Sequence, residues 1–434
     1  MAQWNITTQD YLNQERSLFE VFLQADRYGK VFDPLGQGFS GDLFGRLKVA
    51  NPLTLFDSSH IYYQDGDFDD VIVGTSSTVG FITSQSSAIL GIGITADCSC
   101  IRQSKRAFSY QPGKSLQVFQ TFVLNPPKEN LTQRVGYGSS LNGIFLEQVD
   151  SQINIIKRTT VSGVATVVTI PQSEWNKDTL DGTGFSTSNP SGIQLDLTKA
   201  QLMFTEYEWL GVGDVRVGFQ IDSRMIIAHQ FQHTNEIDSV YMRTATLPIR
   251  YEIFNTGITT SPSSMKQICA SVIANGGYER KKSGSIARMT TSKSVSTTFL
   301  PLVSIRLSPG REFATVIPFE FGALPLSNNV PYEIALVRNG TLTGAGFTFV
   351  PDSTKENVQY DISASTISGG KIVNTSYTFG ANQSSGSLIV QQDYNWSLQL
   401  GTTQAGVSDI FTVVARTITG TGDVIGFLGY YDLT

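Results

Sequence analysis

Few residues of this chain are of the types that do chemistry: its 434 residues hold three histidines and three cysteines, against 37 Asp and Glu. His229-Gln-Phe-Gln-His233 has the spacing of a zinc pair. The metalloprotease pattern needs a helix and a glutamate beside the first histidine as base. This run has no glutamate and lies in an alternating stretch, so both rings share one face of a strand. The reading is two hydrogen-bonded histidines in a sandwich interior or at an interface, with a metal-ligand pair as the alternative. Cys98-Ser-Cys100 is not the redox spacing Cys-x-x-Cys, and three cysteines cannot all pair within one chain, so reduced thiols are expected. Asp65-Gly-Asp-Phe-Asp-Asp70 resembles a calcium loop in spacing only. The glycine and the distal glutamate are out of register, and a solvated turn is the better reading. There is no nucleophile elbow and no phosphate-binding loop, and Gly91-Ile-Gly93 lacks the glycine that should follow. The expectation is a protein with no enzymatic activity, no cofactor and no metal.

A loop offers binding chemistry instead. Gln172 to Leu197 carries Trp175, Asp178, Asp181-Gly182, Gly184 and Ser191-Gly192 before the apolar run Ile193, Leu195, Leu197. It resembles the loops of lectin-like and laminin-G-like jelly rolls, where carboxylates and a tryptophan meet a sugar. Trp175, Asp178 and Asp181 are therefore candidate glycan contacts. The plain alternative needs only turn geometry and one buried indole.

The elements that must position these residues are strands. Val215, Val217, Phe219 and Ile221 alternate with polar neighbours, Asp222-Ser223-Arg224 supplies a turn, and Met225 to His233 resumes the alternation. This is an antiparallel hairpin. Short runs of the same kind, punctuated by turns, fill residues 71 to 274 and predict a sandwich or jelly roll. Glu279 to Lys293 is polar, basic and aperiodic, and reads as a linker. A second β domain follows, with Asn339-Gly340 as its clearest hairpin turn. The fold class is all-β: two sandwich or jelly-roll domains, 60–290 and 291–434, after an N-terminal arm, 1–59, with a short helix between Thr8 and Tyr28. Charged residues make up 16% and the net charge is −6, so no basic field draws the chain to phosphate backbones. Nucleic acid is not an expected partner. No apolar run is long enough for a bilayer, and the first residues lack a secretion pattern, so a soluble, cytoplasmically made chain with no membrane partner is expected.

Phe44-Gly-Arg46-Leu47-Lys48-Val49 with Pro52-Leu53-Thr-Leu55-Phe56-Asp57, and later Glu208 to Asp222 and Val240 to Asn255, resemble a family of virion structural proteins. The family belongs to large tailed double-stranded DNA phages, cyanophages among them, and to some giant viruses. The likeness covers roughly residues 40 to 280 and transfers no catalytic residue. It implies a capsid-associated, tail or baseplate component, made in the host cytoplasm and located in the virion, with other virion proteins and its own copies as partners. A carbohydrate-binding adhesin that reads a host-surface glycan is the alternative.

The segment Val31 to Asp57 carries eleven large apolar residues without a period that would close a core. At about 1.5 to 3 kcal/mol for each fully buried side chain, they need a surface to cover. The expectation is an assembly arm in which Phe44, Leu47, Leu53, Leu55 and Phe56 pack on a neighbouring subunit while Arg46 and Lys48 fix the register. An ordinary first strand, paired within the chain, is the alternative.

Overall fold

The computed structural model describes residues 24–25, 31–32, 51–279, 284–349, 356–380, 388–391 and 396–434. The chain divides into two units, Met1–Asn51 and Pro52–Thr434. In the first, β1 (Gln24–Ala25) pairs antiparallel with β2 (Val31–Phe32). Gln24–Ala25 falls inside the stretch expected to be helical and is a strand instead. The rest of that stretch lies outside the described residues.

The second unit contains two sandwiches. The first is built from β3 (Leu53–Ser58), β4 (Phe68–Val73), β5 (Thr78–Ile82), β6 (Ser87–Ile92), β7 (Ser99–Ser104), β8 (Leu116–Val123), β9 (Leu131–Gly138) and β10 (Gly143–Val149). It continues through β11 (Gln152–Thr159), β12 (Thr166–Pro171), β13 (Gln201–Tyr207), β14 (Val215–Ile221), β15 (Arg224–Phe231), β16 (Ile249–Asn255) and β17 (Ser263–Ala274). One sheet has seven strands in the order β12-β11-β10-β9-β16-β7-β4. The other has eight, with β15-β14-β13-β8-β17-β6-β5 as its path and β3 beside β17. Every pairing is antiparallel.

Alternation decides which residues meet between the sheets. Val135, Tyr137, Leu146, Ile155, Tyr251 and Ile253 from the seven-stranded sheet share a core with Val118, Phe122, Met203, Val217, Phe219 and Val272 from the other. The β14–β15 hairpin turns at Asp222 and Ser223, both at positive φ (50° and 60°), as a two-residue turn that follows strand twist requires. The arm reading needs correction at its end. Leu53, Leu55 and Phe56 lie in β3, which continues the sheet beside β17 where β6 stops, and Leu55 and Phe56 are buried in the chain's own core. Phe44, Arg46, Leu47 and Lys48 lie outside the described residues.

The second sandwich packs a sheet formed by Ser285–Arg288, Lys293–Val295, Gly422–Asp432, Val316–Pro325 and Leu388–Gln391 against a six-stranded one. The latter runs Thr348–Phe349, Val358–Asp361, Leu300–Leu307, Ile410–Thr417, Pro331–Arg338, Lys371–Phe379. The expected linker is thus partly sheet, because Ser285–Arg288 adds to the edge of the final strand. Asn339-Gly340 does not close a hairpin either. Pro331–Arg338 pairs with Lys371–Phe379 and Ile410–Thr417, while Thr341–Thr343 leaves to pair with Thr366–Ser368.

Candidate functional site

On the seven-stranded sheet the residues that alternate with the core positions form an outer face of unusual chemistry. Glu252 on β16, Arg134 on β9, Glu147 on β10 and Asn154 on β11 are direct cross-strand neighbours, one per strand. Arg134 donates from Nε to Glu147 (2.5 Å) and from Nη1 to Glu252 (3.0 Å), and Asn154 Nδ2 donates to Glu147 (3.3 Å). Arg158 comes from two rows along and grips both oxygens of Glu252 (3.0 and 2.9 Å), and Arg250, from the row between, adds its Nε (2.5 Å). Beneath Arg158 lies the ring of Phe145, 4.4 Å from its guanidinium carbon. The ring lies flat because Gly136, Gly138 and Gly143 have no side chains; a Cβ at Gly136 would stand 2.6 Å from it. Arg134 likewise covers Phe254 at 4.8 Å.

Burial alone would raise the Glu252 carboxyl. The hydrogen bonds from Arg158, with the charges of Arg250, Arg158 and Arg134, outweigh it and hold the group well below the ordinary carboxylate range. Glu252 is built to accept hydrogen bonds and is not poised to donate a proton near neutral pH. Arg250 is lowered as well, by burial, against the pull of Glu252.

The second sandwich closes one end of this face. Gln404 donates its backbone N–H to Asp69 Oδ2 (2.8 Å) and its side-chain amide to Asp69 O (3.1 Å), and accepts from Arg250 Nη1 (3.1 Å). The acidic stretch 65–70 is therefore not a solvated turn. Asp70 takes two bonds from the buried Arg102, and Asp67 takes Arg106, which also reaches Trp396 O on the second sandwich. Gln399 to Ala107 and Thr402 to Lys105 complete the seam.

The residues singled out from sequence are elsewhere. Trp175 is 4% exposed, in the core, and donates its indole N–H to Ile170 O. Asp178 is buried and accepts the N–H groups of Leu180 and Ser191. Asp181 accepts Thr183 and Asn189, which lower its pKa. The three shape their loop and offer a sugar no aromatic face, so the glycan reading of Trp175 and Asp178 is corrected: a loop this polar is anchored by its own carboxylates and indole. His229 and His233 do share a face, with Phe231 between them at 4.6 and 6.2 Å. His233 Nδ1 donates to Gly213 O (2.9 Å), which leaves Nε2 to accept from the Lys157 ammonium (3.1 Å). A cation already occupies the position a metal would take on that ring. Among the described residues no three His, Cys, Asp or Glu side chains are grouped to hold a metal. The outer-face row went unread, although Arg250-x-Glu252 and Arg134-x-Gly136-x-Gly138 have the two-residue spacing that puts them on one face of a strand.

No family model and no curated protein matches the chain. Several solved structures are similar in fold. The β-glucanase of Bacillus licheniformis is 8% identical (TM-score 0.32), over 50% of this chain and 96% of that one. A glycoside hydrolase family 16 endo-glucanase from Bacteroides ovatus is 11% identical (TM-score 0.33), over 50% and 99%. The Emp47p carbohydrate recognition domain is 9% identical (TM-score 0.32), over 55% and 100%. The expectation of a chain without enzymatic activity is corrected here: structures similar to it include glucan hydrolases, and missing sequence motifs give no ground to exclude catalysis. At these identities the likeness is one of fold.

Proposed function

We propose that the protein binds carbohydrate on the outer face of its seven-stranded sheet. The row Glu252–Arg134–Glu147–Asn154 carries the reading. Its planar groups are held in place by one another, while Arg134 Nη2 and Asn154 Oδ1 have no hydrogen-bond partner among the described residues and are not sealed from solvent. The partly buried Phe254 ring lies beside them. Saccharides present hydroxyls that need fixed donors and acceptors next to an apolar face, and groups already locked lose little freedom on binding. Screening the full chain on immobilised glycans, then titrating the best binder into the wild type and Asn154→Ala, tests this. About tenfold weaker binding by the variant is expected. Absence of any bound glycan, or an unchanged affinity, rejects it.

We also propose that the chain works inside a virus particle, beside copies of itself and other virion proteins. In favour stands the edge strand Lys371–Phe379, which pairs on one side only among the described residues and shows Tyr377 and Phe379 at 63% and 55% exposure. Mass spectrometry of purified particles tests this, and absence of the chain from them rejects it.

A further inference from the structure

The outer-face row is unbalanced in charge. Three guanidinium groups, Arg134, Arg158 and Arg250, are shared between two carboxylates, Glu147 and Glu252. The nearest further carboxylate on this face, Asp69, sits across Gln103 from Arg250 and is taken up by Gln404. Arg134 and Arg250 both border Glu252, Arg134 on Oε2 and Arg250 on Oε1. The Nη2 atom of each has no hydrogen-bond partner among the described residues, and neither atom is sealed. Arg250 is itself buried, with Gln103 and Gln404 as neutral partners on its other side. A neutral sugar would fill these donors and leave the charge uncompensated. A carboxylate would fill them and balance it, each free Nη2 donating one charge-assisted hydrogen bond.

We infer that the saccharide bound on this face is an acidic one, with a sugar carboxylate taken by the free guanidinium ends of Arg134 and Arg250. This rests on the carbohydrate-binding reading and names its ligand class. Arg134, at 21% side-chain exposure, is the entrance contact, and Arg250 lies deeper against the second sandwich.

The test is calorimetric titration of the full chain with tetragalacturonate and with its fully methyl-esterified form, which keeps the hydroxyls and loses the charge. The acid is expected to bind about tenfold or more tightly than the ester, and to weaken as salt is raised. Arg134→Gln should bring the acid down to the level of the ester. Because that change disturbs two glutamates, Glu147→Gln is titrated beside it. Removing one negative charge from the row should tighten binding of the acid, whereas mere structural damage would weaken it. Equal binding of acid and ester overturns the inference and leaves carbohydrate binding standing. Tighter binding of the ester, or an Arg134→Gln variant that folds and keeps the preference for acid, also overturns it. If neither form binds while neutral glycans bind on this face, the ligand class is wrong; if no saccharide binds there, the carbohydrate reading fails with it.

Discussion

Gln404, on a loop of the second sandwich, accepts a hydrogen bond from Arg250 of the first across 3.1 Å. Through that contact the charged row and the seam between the sandwiches become one network. The Gln404 side-chain amide also donates to Asp69 O and Ile101 O, so its truncation removes three hydrogen bonds across the seam and leaves the backbone bond to Asp69 Oδ2 in place. Gln404→Ala should lower stability by about 1–3 kcal/mol in urea unfolding. An unchanged midpoint would show that the loop does not hold the sandwiches together.

Glu252 holds three guanidinium groups, and removing its charge strands them. Glu252→Gln should cost about 3–5 kcal/mol, read from thermal or urea unfolding. Because its folded pKa lies below the unfolded one, its contribution is present above about pH 4.5 and is lost as pH falls through the folded value. The variant should therefore lose less stability than the wild type between pH 4.5 and 2.5. Parallel losses would contradict this.

His229 titrates in a separate window. Burial, then the charges of Lys157 and Lys177, push it down to about 4. The unfolded chain binds a proton near pH 6.5 that the folded chain refuses, so the stability it contributes is complete above that pH and lost as pH falls towards 4. Solvent screening keeps the effect to the order of 1–2 kcal/mol. His229→Gln should flatten the melting temperature between pH 6.5 and 4.5, and an NMR titration should place the wild-type imidazole below 5. A midpoint near 6.5 would refute the buried, neutral reading.

The arm can be divided at its first core strand. A chain beginning at Pro52 keeps β3 and should unfold like the full chain. A chain beginning at Ser59 loses Leu55 and Phe56 from the core and should lose several kcal/mol or fail to fold. Equal stability of the two truncations would show that β3 is dispensable and restore the arm reading for it.

The sandwich was legible because alternation is local: Val215–Ile221 and the run after Arg224 declare their faces over a few residues, and the structure has strands there. The site was not, because it is assembled across strands. Arg134 and Glu252 are 118 residues apart and meet only through the β9–β16 register, which no local pattern encodes. Trp175 misled for a related reason: residue type suggests a sugar platform, but whether an indole faces solvent depends on which strand edges its loop covers. That loop reaches across to Ala228 and Gln230 on β15 and carries Trp175 inward. Asp67 and Asp69 read as solvated because their partners, Arg106 and Gln404, lie far away in sequence.

A crystal structure of the full chain with the oligosaccharide it binds best tests the central claim most directly. The claim predicts sugar density on the outer face of the seven-stranded sheet, beside Phe254, with ligand oxygens within hydrogen-bond distance of Arg134 Nη2 and Asn154 Oδ1. Sugar seated on the Gln172 to Leu197 loop, or anywhere that leaves Arg134 and Asn154 untouched, would contradict it.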